Sequence, residues 1–93
     1  MKKLSDDELR EAAWQLPGWT LENGELVQQR TFKDFVAAMA FVNDVAQLAE
    51  AAGHHPDIDI RYNRVRLALV THDAGGLTSK DVELAQKINN LGH

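Results

Sequence analysis

The stretch "DIDIRYNRVRLALVT", residues 57–71, decides the fold. Ile58, Ile60 and Tyr62 alternate with polar residues, and Val65, Leu67 and Leu69 do the same after Asn63-Arg64. Alternation of period two marks a strand with one face buried. Two such runs meeting at a short polar break form a hairpin. Asn accepts the left-handed conformation of a first turn position, although Arg is a poor second, so Asn63-Arg64 is the expected turn. Tyr62 then faces Val65, Ile60 faces Leu67, Ile58 faces Leu69 and His55 faces His72. The apolar set, Tyr62 included, lies on a covered face. His55 and His72 share the open face with Asp57, Asp59 and Arg61.

A second hairpin stands upstream in "GWTLENGELVQQRTF", residues 18–32, where Asn23-Gly24 suits a type I′ turn. Three segments carry helix-start chemistry. "SDDE" (Ser5 to Glu8) is a capping box that opens a helix to about Gln15, stopped by "LPG". "TFKD" (Thr31 to Asp34) is a looser version that opens a helix to about Ala52, with Gly53 as its breaker. "TSKD" (Thr78 to Asp81) opens a last helix to about Leu91, which makes Asp81 the N3 acid behind Thr78. The order is α-β-β-α-β-β-α. It specifies an α+β two-layer sandwich, a four-stranded antiparallel sheet with helices packed on one face.

Ninety-three residues make one domain, spanning 1–93. A 44% apolar share is ordinary for a globular chain, and 26% charged residues balanced in sign argue against disorder. Without cysteine there is no disulfide, thiolate nucleophile or cysteine-based zinc site. The N-terminus lacks a signal-type apolar core and no apolar run approaches membrane length, so a cytoplasmic protein is expected, with no membrane partner. Net charge is −4, and Arg61, Arg64 and Arg66 form the sole local basic cluster, beside Asp57 and Asp59; nucleic acid is not an expected partner. The middle helix is apolar on two neighbouring faces, Phe35, Met39, Val42, Ala46 and Ala49 on one and Ala38, Phe41, Val45, Leu48 and Ala52 on the other. A monomer needs one stripe, so a homo-oligomer is expected.

Three of four histidines, His54, His55 and His72, fall near one hairpin. Glu50 lies one helical turn before His54, a spacing that pairs carboxylate with imidazole if the helix continues. Imidazoles suit proton transfer near neutral pH, since their unperturbed pKa is about 6.5. They also suit zinc, although adjacent His54 and His55 point to opposite faces of an extended strand. Surface or capping roles would explain them equally. Gly75-Gly76 reads as a strand-to-helix turn, Trp14 and Trp19 as core or interface residues, and His93 as a disordered end.

The run Glu50-x₃-His54-His55-Pro56-x₅-Tyr62-x₉-His72-x₈-Asp81 resembles the signature of the pterin-4a-carbinolamine dehydratases. "LPGW" and "FKDFVAAMAFVNDVAQLAE" are similar to that family's N-terminal half, so the resemblance spans nearly the whole chain. It implies dehydration of 4a-hydroxytetrahydrobiopterin to quinonoid dihydropterin, in support of tetrahydrobiopterin recycling, without metal or other cofactor. It implies dimers whose sheets join, often paired into tetramers. By matching positions, His54, His55 and His72 are the implied catalytic residues, with Glu50 and Asp81 in support. Substrate contacts fall to His55, Pro56, Thr71 and Asp73. His54 and His72 are the expected acid–base pair, and His55 chiefly orients the pterin. Many relatives carry Trp two residues after the proline, where this chain has Ile58. The resemblance also admits a dimerisation or regulatory binding role, as in some animal relatives, or service in another pterin pathway such as molybdopterin-related metabolism.

Overall fold

The second hairpin turns one residue earlier than its sequence predicts. In a computed structural model, which describes residues 2–93, the turn residues are Tyr62 and Asn63, with Arg61 facing Arg64. Asn63 decides this. Its carbonyl accepts the Phe32 N–H at 2.8 Å, and its side-chain amide donates to the Phe32 carbonyl at 2.8 Å. Tied twice to the chain leaving the neighbouring strand, Asn63 occupies the second turn position. Tyr62 takes the first, at φ +51°, a left-handed conformation uncommon for a bulky side chain. Moving the turn by one residue moves the pairing by two, so each side chain keeps its face. Ile58 faces Leu67 and Ile60 faces Val65. Two expectations fail: Tyr62 is exposed on the turn instead of in the core, and the paired ladder begins at Asp57, so His55 and His72 are not cross-strand partners.

The elements run α1 (Asp6–Trp14), β1 (Trp19–Glu22), β2 (Glu25–Thr31), α2 (Phe35–Ala52), β3 (Asp57–Arg61), β4 (Arg64–Leu69), a 3₁₀ turn (His72–Ala74) and α3 (Ser79–Asn89). The sheet order is β1-β2-β4-β3, with every neighbouring pair antiparallel. This is the expected α+β architecture. Asn23 and Gly24 form the first hairpin's turn, both at positive φ as a type I′ turn demands. Leu26, Val65, Leu67 and Leu69 from the sheet meet Ala38, Phe41, Val45 and Ala49 of α2 and Leu84, Ala85 and Ile88 of α3 in one buried cluster. Each large apolar side chain buried there contributes about 1.5–3 kcal/mol before chain entropy is charged against it. Trp19 joins this core and donates its indole N–H to Asn89 Oδ1 at 2.9 Å, whereas Trp14 stands almost fully in solvent.

Helix starts follow the cap chemistry with one exception. Ser5 and Glu8 close a reciprocal capping box on α1, and Thr78 and Asp81 close another on α3. α2 begins at Phe35 with Asp34 alone as its cap, accepting from the Ala37 N–H at 2.8 Å. Thr31 is not part of that cap because it is the last residue of β2, paired with Arg64. α2 buries Ala38, Phe41, Val42, Val45 and Ala49 and leaves Phe35 and Val36 exposed. By length and composition α2 is long and apolar enough to cross a membrane, contrary to expectation. Its wide apolar surface includes the face that packs under the sheet. His93 is not a loose end: its ring lies edge-on to Phe41, centroids 5.6 Å apart, and its Nε2 meets Asp44.

Candidate active site

The end of α2 places the first two histidines. Gly53 adopts a left-handed φ of +63°, its N–H bonding to the Glu50 carbonyl, and the His54 N–H reaches the Ala49 carbonyl at 3.1 Å. This six-to-one closure terminates the helix and swings the chain across its end. Helical i,i+4 geometry therefore stops before His54, and the expected Glu50–His54 pairing does not form. His55 takes that partner instead, its Nε2 lying 3.1 Å from Glu50 Oε2. Both side chains of this second pair are exposed.

His54 turns inward to Asp81, with Nε2 2.5 Å from Oδ1. Asp81 sits at the third position of α3, and its carboxylate is fully buried. Its other oxygen accepts the Thr78 N–H at 2.9 Å, which is the capping bond, and the Thr71 hydroxyl at 2.8 Å. Thr78 Oγ1 lies 2.8 Å from Thr71 Oγ1. Since the Thr71 hydrogen goes to Asp81, the Thr78 hydroxyl donates to Thr71. One carboxylate thus caps a helix, ties the β4 exit to α3 and holds an imidazole. An ionised carboxylate only accepts, so the His54 Nε2 facing it carries the hydrogen and Nδ1 of the neutral ring is left as a base.

His72 follows Thr71 directly and opens the 3₁₀ turn, with its side chain exposed and without a bonded partner among the described residues. It stands at the rim of the Thr71–Asp81–His54 network, one residue from it. Gly75 closes the turn at φ +74°, and Gly76 bridges back to Thr71. Asp73 is exposed on the same turn, and half-buried Pro56 leads from His55 into β3. Ile58, where many relatives carry tryptophan, lies half-buried against the core. The structure therefore gathers His54, Asp81 and Thr71 into one bonded cluster, keeps His55 and Glu50 as an adjacent surface pair, and sets His72 and Asp73 on a neighbouring turn. Thr78 is the member sequence reasoning missed; its signal was the capping box, which reads as helix chemistry alone. Among the described residues, no three His, Asp or Glu side chains converge in an arrangement able to hold a metal ion.

Residues 2–91 match the family described as pterin 4 alpha carbinolamine dehydratase. A Chloroflexus aurantiacus protein provisionally named pterin-4-alpha-carbinolamine dehydratase is 62% identical over 98% of each chain. An Acidobacterium capsulatum protein with the same provisional name is 60% identical over 98% of this chain and 99% of its own. The crystal structure of a transcriptional coactivator/pterin dehydratase from Brucella melitensis superposes with a TM-score of 0.91 at 36% identity, covering 95% of this chain and 96% of that one. With the match running from before α1 to beyond α3, through every residue of the histidine cluster, the chain belongs to the pterin-4a-carbinolamine dehydratase family.

Proposed function

We propose that this chain dehydrates 4a-hydroxytetrahydrobiopterin to quinonoid dihydropterin and water by imidazole acid–base catalysis, in support of tetrahydrobiopterin recycling in the cytoplasm. The carrying observation is the buried Asp81–His54 pair, with exposed His55 next to His54 in the chain and exposed His72 next to Thr71 of the same bonded network. In the reaction the C4a–oxygen bond breaks, an acid protonates the departing hydroxyl, and a base removes the proton of the adjacent ring nitrogen as the C=N bond forms. One imidazole in each protonation state supplies both transfers near neutral pH, help typically worth about 10²–10⁴-fold. His54 and His72 take these two roles. His55, steadied by Glu50, orients the pterin, with Pro56 and Asp73 beside it. Thr71, whose hydroxyl is engaged by Asp81 and Thr78, acts through Asp81.

The test is absorbance-monitored dehydration of freshly generated 4a-hydroxytetrahydropterin with chelator-treated protein. Acceleration that survives chelation supports the reading; a rate no faster than the spontaneous reaction overturns it. A second reading, a regulatory binding module, is favoured by the exposed Phe35 and Val36 on α2 and by the coactivator role named for the Brucella protein. Replacing His54, His55 and His72 together separates the two, because an enzyme loses activity while a scaffold keeps its partner. The same exposed α2 residues support a homo-oligomer.

A further inference from the structure

Six side chains on the uncovered face of the sheet stand in two rows. Thr31, Arg64 and Arg61 are in register across β2, β4 and β3, and Gln29, Arg66 and Asp59 form the next row. Strands lie about 4.8 Å apart and same-face residues about 6.7 Å apart along a strand, so the grid measures roughly 10 Å by 7 Å. These six residues, with Arg30 and Val65 of the same strands, line a groove of about 330 Å³. The six-residue grid itself carries three guanidinium groups and one carboxylate, Asp59, in a chain whose net charge is −4.

The pairing within the grid is incomplete. Arg61 meets Asp59 at 3.3 Å and Arg66 meets Glu22 at a loose 3.7 Å, while the side chains of Arg64, Gln29 and Thr31 have no hydrogen-bond or ionic partner among the described residues. Arg61 and Arg64 are directly opposed, and like charges in that position repel. An anion between them removes the repulsion. Guanidinium forks match phosphoryl oxygens in bidentate geometry, and the Thr31 hydroxyl and Gln29 amide add neutral donors. The positive patch ends after two rows, because the rows beyond bring Asp57 and the opposed Glu22 and Glu25. It has room for one or two phosphoryl groups and none for a nucleic-acid tract.

We infer that this groove binds the phosphoryl group of a small phosphorylated ligand, at a site separate from the histidine cluster. Arg61 and Arg64 stand at the turn end of the β3–β4 hairpin, whereas His54 and His55 precede its open end and His72 follows it. The probe is inorganic pyrophosphate, titrated calorimetrically into the full chain at low ionic strength. Arg64→Gln is expected to weaken binding about tenfold, and Arg61→Gln with Arg64→Gln to abolish it. Arg10→Gln, on α1, leaves it unchanged. Circular dichroism verifies that each variant is folded. The inference is overturned by absence of pyrophosphate binding, by wild-type affinity in Arg64→Gln, or by single-stranded oligonucleotides that bind more tightly with length and outcompete pyrophosphate.

Discussion

His54 and His55 follow one another in the chain, yet His54 is 11% exposed against a fully buried Asp81, while His55 is 62% exposed against a Glu50 that is 82% exposed. Both are imidazole–carboxylate pairs. Water separates their consequences. An exposed pair gains about 0–1 kcal/mol because solvent screens it and two side chains must be held still. A buried carboxylate cannot return to water, so each lost donor leaves a lone pair unsatisfied. The first pair is accordingly a fixed part of the fold, and the second an adjustable surface element next to it. A site that both binds and turns over a substrate has use for one of each.

The sharpest way to break this contrast is to remove the two acids. Asp81→Ala is expected to cost about 3 kcal/mol in urea unfolding, since it removes the capping-box acceptor and strands the Thr78 N–H and the Thr71 hydroxyl. Glu50→Ala is expected to cost at most about 1 kcal/mol. Equal losses would mean that burial does not distinguish the pairs. Next in size, His54→Ala and His72→Ala each lower turnover about 10²-fold or more while circular dichroism stays native; His55→Gln raises KM more than it lowers kcat. Full turnover in either alanine variant would remove that residue from the acid–base pair. Thr71→Val, which withdraws one donor from Asp81, is expected to cost about 1 kcal/mol by urea titration and to leave His54 in place.

The smallest effect lies in α1. The Glu8 carboxyl is held below its usual value by the Ser5 backbone N–H and then by the Ser5 hydroxyl. A depressed carboxylate contributes stability that is fully present above its unfolded value of 4.5 and lost as the pH falls through the lower folded one. Wild type therefore melts slightly above Glu8→Gln at neutral pH, and the gap closes below about pH 4. A gap that widens on acidification would reverse the sign.

Local chemistry made the elements legible. Ser5 with Glu8, Thr78 with Asp81, Asn23-Gly24 and Gly53 each mark their boundary through neighbours within a few residues. Errors arose where a distant group decided. The second turn is set by Phe32, 31 residues from Asn63, and no pattern within the hairpin carries that bond. The Glu50–His54 pairing failed because the left-handed step at Gly53 ends the helical geometry on which the spacing rests. The candidate site residues were named through the family signature, and spacing alone left their roles open. Asp81 was read as a helix cap, which it is; that the same carboxylate holds His54 depends on the tertiary approach of α3 to the end of α2.

The most direct test of the account is the tautomer of His54, read from ¹⁵N chemical shifts of both ring nitrogens in histidine-labelled protein at about pH 8.5, where imidazoles are neutral. The account predicts a single tautomer with its hydrogen on Nε2, facing Asp81, and an averaged pair of shifts for solvent-exposed His55. A hydrogen on Nδ1 of His54, or averaged shifts for both rings, would contradict it: Asp81 would then not hold the ring, and the buried pair would differ from the exposed one in position alone.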